Sequence, residues 1–294
     1  MNMAVQPIDS GCARLLAGLL EQRTGQRIAP NRSWRLDTAL KPLLAGLAIH
    51  DVDDLARRLR EGRDEVLADK VVDLLLNQET SFFRDAGVIE SAAQAVAVPL
   101  AAGMPVHIWC AACATGQEAL SLAMLFAERK AAERWPRMPE IIGTDVSAAA
   151  IARARQGSYS QFEIQRGLPV RRMMEWFAPD GDGQWGATPA LLNTVTYRRH
   201  NLVAEPPPAG RYDLILCRNV LFYLVPRLRE QVLERLAGAL KPGGLLLLGA
   251  GETVIGLSDR LRPSRRLRGF YEATGCPSTA PGGAAEVARE AQSS

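Results

Sequence analysis

Along the first 90 positions apolar residues recur every three or four places and no stretch alternates as a strand would, so the pattern predicts helices. Leu15, Leu16, Leu19 and Leu20 mark a first amphipathic helix, with turn residues Gly25, Pro30 and Asn31 behind it. Leu36, Leu40, Leu43, Leu44 and Leu47 mark a second, weakened by Gly46. Asp51 is a suitable N-cap for a third, in which Asp53 and Asp54 occupy the first turn and Val52, Leu55, Ala56 and Leu59 form one stripe. Its exposed face carries Arg57, flanked by Arg58 and Arg60, with Arg63 following Gly62. A fourth helix spans Glu65 to Asn77, with Leu67, Val71, Leu74 and Leu75 turned inward. The segment NQETSFFRD, Asn77 to Asp85, breaks that rhythm. A small-residue helix from Glu90 to Val98 then leads to Pro99, Gly103 and Pro105, which punctuate the chain.

From residue 106 the pattern changes to short continuous apolar runs alternating with helical periods, the mark of an α/β unit. Val106, Ile108 and Trp109 form a strand that ends in Cys110 to Ala114, and Thr115 and Gly116 open a helix carrying Ala119, Leu122, Ala123 and Phe126. Glu128 to Arg137 reads as a charged surface segment. EIIGTDV, Glu140 to Val146, is a second strand, and Ser147 caps the helix after it. Regularity is lost between Gly157 and Asn193, where Tyr159, Phe162, Trp176, Phe177 and Trp185 are broken by Gly181, Gly183 and Gly186. Val195 to Leu202 returns as a strand, and Arg211 to Asn219, RYDLILCRN, is the clearest central one because Leu214, Ile215 and Leu216 require burial on both faces. Pro226 starts a further helix, Lys241 to Gly244 turn the chain into Leu245 to Leu248, and residues 265 to 273 supply a last antiparallel strand. The organisation expected is a helical domain over 1–90, an α/β domain over 91–274 with an irregular or small β insertion at about 157–194, and a disordered tail over 275–294.

With 294 residues, 47% hydrophobic and 23% charged, the chain has the composition of an ordinary globular protein. A net charge of +3 is too small for non-specific nucleic-acid binding, so any electrostatic partner must meet a local patch. Five cysteines, Cys12, Cys110, Cys113, Cys217 and Cys276, give an odd count at irregular spacing, which points to a reducing cytoplasm and not to a disulfide framework. Cys110 and Cys113 lack a second Cys/His pair, so no metal site is expected. Neither a signal peptide nor a membrane span is legible.

The candidate chemistry lies where the first strand meets its helix, since ligands of open α/β sheets settle outside the carboxyl ends of the strands. Gly116 stands alone, so there is no dinucleotide fingerprint, and it is expected where a ligand approaches the backbone. Glu118 on the first helical turn either is a surface residue favoured by the helix dipole or, facing the crevice, would repel a pyrophosphate and attract an ammonium or sulfonium cation. Asp145, at the tip of the second strand, is placed to take ribose hydroxyls. A ribose and an amino-acid cation together describe S-adenosylmethionine. Phe82 and Phe83, hemmed by Thr80, Ser81, Arg84 and Asp85, either suit a lid over such a ligand, with Arg84 free to meet a carboxylate, or simply belong to the core. The basic helix face is either a solvated surface or a docking face for an acidic helical partner.

Taken in order, NQETSFFRD, WCAACATGQEALSLA, GTDVS, the RHNL strand end, DLILCRNVLFYL and LKPGGLLLLGAGE resemble the successive motifs of the CheR-type chemoreceptor glutamate methyltransferases, over roughly residues 10–272. The resemblance implies a Rossmann-like, seven-stranded S-adenosylmethionine-dependent methyltransferase sheet behind a small all-helical N-terminal domain. It implies S-adenosyl-L-methionine as donor, S-adenosyl-L-homocysteine as product, and glutamate methyl esters on receptors. By motif position Gln78, Thr80 and Arg84 would line the methionine end, Glu118 would hold the amino group and Asp145 the ribose. Asn201 and Leu202 would border the adenine, while Asn219 and Val220 would close the site. Arg84 and Tyr223 are the candidate catalytic residues, Tyr223 either orienting the substrate carboxylate or packing as an apolar side chain. Arg57, Arg58 and Arg60 would dock on the helical methylation region of a chemoreceptor in the cytoplasm, with no nucleic acid, no membrane insertion and a monomeric enzyme. Two departures stand out: Gln78 replaces a frequent Asn, and GQEALS replaces GxEPYS, which alters the start of that helix. Some members carry a small sheet that grips a peptide at the receptor's C-terminus. Here Trp176 to Tyr197 looks short for that and lacks a clear hairpin, so no such tether is expected. The alternatives are a methyltransferase for another protein or a small molecule, and a non-catalytic cofactor-sensing module.

Overall fold

A computed structural model describes residues 10–28, 34–62 and 64–274. Pro30, Asn31, Arg63, Cys276 and the tail expected over 275–294 lie outside the described residues. Four helices come first: α1 (Ser10–Thr24), α2 (Trp34–Gly46), α3 (Val52–Arg60) and α4 (Glu65–Leu75). Their leucine stripes converge on one core of Leu16, Leu40, Ile49, Leu55, Leu67 and Val71. Asp51 caps α3 by accepting the N–H of Asp54 at 2.8 Å, and Asp64 caps α4 by accepting that of Leu67 at 2.8 Å. Leu74, expected inside, is instead 39% exposed beside a groove, because α4 turns that flank toward the second half of the chain.

Two short helices, α5 (Ala86–Ala95) and α6 (Ala97–Ala101), follow the irregular segment 76–85. Residue 90 falls inside α5, whose buried Ile89, Ala92 and Ala93 join the core of the α/β unit. The chain then alternates: β1 (His107–Ala111), α7 (Gln117–Glu133), β2 (Glu140–Asp145) and α8 (Ala148–Gln156). The charged segment expected from Glu128 is largely the last turns of α7, which stops at Arg134 in the left-handed region (φ 56).

The region 157–194 is ordered into β3 (Ser158–Ser160), α9 (Gln161–Gln165), α10 (Val170–Trp176), β4 (Phe177–Pro179), β5 (Gln184–Ala187) and α11 (Pro189–Leu192). The strands form a three-stranded antiparallel sheet in the order β3-β5-β4, and β4 and β5 pair as a hairpin from Phe177↔Ala187 to Pro179↔Trp185. That overturns the expectation of no hairpin. Strands of three and four residues are too short to show an alternating pattern, and the turn between them needs positive φ at Gly181, Asp182 and Gly183. The insertion is fastened to segment 76–85 by aromatic edges: the Phe82 ring lies 5.0 Å from Tyr159 and 5.4 Å from Phe177. Arg172 lies 4.4 Å over the ring of Phe83 and forms a two-pronged pair with Glu128.

The remaining elements are β6 (Val195–Arg199), β7 (Tyr212–Cys217), a 3₁₀ turn at Leu221–Tyr223, α12 (Pro226–Ala239), β8 (Leu240–Leu248), β9 (Leu261–Pro263) and β10 (Phe270–Ala273). The seven strands run in the order β6-β2-β1-β7-β8-β10-β9, parallel except for β10, which is antiparallel to both neighbours. Leu214, Ile215 and Leu216 are completely buried, as a central strand covered on both faces demands. The strand order reverses between β1 and β7, whose last residues Ala111 and Cys217 are paired. A crevice opens at such a reversal, and the loops after β1, β2 and β7 meet there. Among the described residues, no helix is long and apolar enough to cross a membrane.

Candidate active site

The loop after β1 turns sharply, with Ala112 (φ 56), Ala114 (φ 49) and Gly116 (φ 93) all left-handed. Asp145 holds this turn in place: Oδ2 accepts the N–H of Ala114 at 2.9 Å, and Oδ1 accepts that of Ser147 at 2.9 Å. Burial pushes the Asp145 carboxyl upward against the pull of those two amides. Gly116 is required by the protein's own packing, since a Cβ there would lie 2.8 Å from Tyr197 Oη and 3.0 Å from Ala154 Cβ, and it is not among the residues that line the crevice. Cys110, Cys113 and Cys217 are buried, and desolvation raises each thiol well above its ordinary value, so they act as small apolar packing groups.

Glu118 on the first turn of α7 is largely buried, its side chain 13% exposed. Its partner is Arg218, just beyond β7, whose side chain is 2% exposed and whose Nη1 donates to Glu118 Oε2 at 2.8 Å. Arg218 also donates to the Arg84 carbonyl at 3.3 Å and pairs with Asp85, so one guanidinium joins α7 to segment 76–85. Its Nε has no hydrogen-bond partner. Burial raises the Glu118 carboxyl, opposed by the charge and hydrogen bond of Arg218.

A crevice at the strand-order reversal gathers these groups, lined by a mixture of polar and apolar residues. Gln78, Thr80, Arg84, Glu118, Asp145, Asn201, Leu202, Asn219 and Val220 all line it. Thr24 and Gln26, from the end of α1 and just beyond, are buried and also line it. The Asn201 side chain is largely spoken for: Nδ2 donates to the Arg23 carbonyl at 2.7 Å, while Oδ1 accepts the N–H of Val203 at 3.0 Å. Arg84 reaches the Glu79 carbonyl at 3.4 Å.

Tyr223 lies outside this crevice, in an adjoining groove with Phe222, Leu74 and Asn77. Asn77 lines both spaces and donates to Tyr223 Oη, and the Arg27 N–H donates to the Tyr223 carbonyl at 2.9 Å. Arg57, Arg58 and Arg60 are all exposed on α3, the first two paired with Asp54. Two residues of this region had no functional role in the sequence pattern. Arg218 showed itself only as a charge at the end of an apolar run, and Glu252 only as the last letter of GAGE.

Residues 78–268 match the family described as CheR methyltransferase, SAM binding domain. The chemotaxis protein methyltransferase of Vibrio anguillarum is 34% identical over 250 residues, 84% of this chain and 90% of that protein. Chemotaxis protein methyltransferase 1 of Pseudomonas aeruginosa is 33% identical over 245 residues, covering 82% of this chain and 89% of its own. The Cher2 methyltransferase of Pseudomonas putida is 31% identical over 245 residues, with coverage of 82% and 89%.

Proposed function

This chain belongs to the CheR methyltransferase family, and we propose that it transfers the methyl group of S-adenosylmethionine to glutamate side chains of chemotaxis receptors, leaving methyl esters. One observation supports the reading most. Residues 78–80, Arg84, Glu118, Asp145, 201–202 and 219–220, from segments far apart in sequence, line a single crevice at the strand-order reversal, with two largely buried carboxylates on its wall.

The donor set fits the nucleoside. Glu118 is kept ionisable by Arg218 and meets the ammonium group; Asp145 uses one lone pair of each oxygen on backbone amides and has others for ribose hydroxyls. Arg84 faces the methionine carboxylate, with Gln78 and Thr80 beside it. Asn201 and Leu202 border the adenine, Asn201 through its fold-anchored backbone, and Asn219 and Val220 close the far side. When bound, the donor supplies an electrophilic methyl carbon on a sulfonium.

The substrate glutamate has an ordinary pKa near ~4.3 and is already a nucleophile at neutral pH, so no general base is needed. What the chain must do is align its oxygen and exclude water, which is worth roughly 7–11 kcal/mol of the barrier. Tyr223, its hydroxyl held by Asn77 where groove and crevice adjoin, orients that carboxylate. The exposed arginines of α3 give the helical region a docking face for the acidic methylation helices of a receptor.

Methyl transfer from radiolabelled donor onto receptor fragments tests the activity, with base-labile release of methanol expected. Label that stays in a small-molecule fraction, or cofactor binding without turnover, would replace this reading by one of its rivals.

A further inference from the structure

Behind the crevice wall, a whole turn of main chain hangs on one carboxylate. Glu252, in the loop after β8, accepts four backbone N–H groups: those of Asn219 (2.8 Å) and Gly249 (2.7 Å) on Oε2, and those of Val220 (2.9 Å) and Leu221 (2.7 Å) on Oε1. Three successive amides converging on an anion form a nest, here filled by the protein's own side chain with charge-assisted bonds. Asn219 sits in the left-handed region (φ 58), which asparagine tolerates better than other residues with a Cβ. Gly249 lets the carboxylate in. A Cβ at that position would lie 2.8 Å from Glu252 Oε2 and 2.7 Å from Asn219 Nδ2.

Asn219 and Val220 line the crevice, while Glu252 stands behind them and not among the lining residues. We propose that Glu252 is a positioning residue for cofactor binding: it fixes the turn 219–221 so that Asn219 and Val220 present their side chains to the methyl donor. The inference rests on the crevice being the cofactor site, as proposed above. The turn's amides are all committed to Glu252, so it contacts the donor through side chains and not as an anion-binding loop. Because both oxygens accept, glutamine cannot substitute. Its NH₂ would face two N–H donors.

The test titrates S-adenosylhomocysteine into the full chain, its Glu252→Gln and Gly249→Ala variants, and Asn219→Ala, alongside thermal unfolding without ligand. Both Glu252→Gln and Gly249→Ala should raise the Kd about 10- to 100-fold, the scale of one or two lost polar contacts. A lowered Tm with unchanged Kd in the folded variants would make Glu252 merely structural and overturn the proposal. If Asn219→Ala leaves the Kd unchanged, the cofactor reading of this wall fails; if Asn219→Ala weakens binding and Glu252→Gln does not, the positioning inference alone fails. Hydrogen exchange on the wild-type chain needs no variant to fold. The amides of 219–221 should be protected before ligand is added, and fast exchange there would refute a preformed turn.

Discussion

Arg218 and Glu118, brought together from opposite sides of the strand-order reversal, form a buried ion pair with Nη1 2.8 Å from Oε2. Breaking such a pair leaves an uncompensated buried charge, typically about 3–5 kcal/mol. Arg218→Met should therefore lower stability on that scale and weaken cofactor binding, because Glu118 is driven toward its neutral form. Chemical denaturation and ligand titration of the same variant check both halves.

The pH dependence of cofactor binding follows from the same carboxylates. Burial raises Glu118 above its ordinary 4.5 and Asp145 above its ordinary 3.8. The stability these groups lend the unliganded fold is present below the ordinary values and is lost as pH rises through the raised ones. A cationic ligand reverses this for Glu118, since it favours the ionised form. Affinity for S-adenosylhomocysteine should thus fall on acidification, beginning above the usual glutamate range, with proton release on binding in that window. Calorimetry in two buffers of different ionisation enthalpy measures the release.

Asp145→Asn should be harmful although it is nearly isosteric. Oδ2 accepts from Ala114 and Oδ1 from Ser147, so one of the two would face an NH₂ group instead of an oxygen. We expect at least about a tenfold loss of cofactor affinity, in line with one buried polar group left unpaired. Unchanged affinity in this variant would remove Asp145 from the site.

For the receptor side, Arg57→Glu with Arg58→Glu should raise KM for receptor and its salt sensitivity while leaving cofactor affinity alone, since both side chains are exposed on α3. Tyr223→Phe should instead lower kcat by about tenfold with little change in cofactor binding, as one hydrogen bond to the substrate carboxylate is lost. Steady-state kinetics with receptor fragments separates the two patterns.

The parts of this molecule legible in its sequence are those decided by local pattern. The run Leu214 to Leu216 announces a central strand, Asp51 and Ser147 announce helix starts, and Asp145 and Glu118 fall at a strand tip and a first helical turn, where both line the crevice. What stayed hidden depends on contacts between distant segments. Gly116 answers to Tyr197 across the sheet, Arg218 finds its partners on α7 and at Asp85, and Glu252 finds three of its four amides on another loop. The hairpin of the insertion was hidden for a different reason. Its stability comes from Phe177 meeting Phe82 and Tyr159, and not from the alternation of its own few residues.

Because Thr24 and Gln26 line the crevice and Asn201 grips the carbonyl of Arg23, the helical region and the sheet share a wall. Amputating the first helices would therefore do more than discard a docking surface: it would unroof the pocket, and a shortened enzyme should be poor even toward a free peptide that needs no docking. Conversely, α3, the face proposed for docking, shares its core with α1 through Leu55 and Leu16, so a load placed on α3 would bear on the helix whose end lines the crevice.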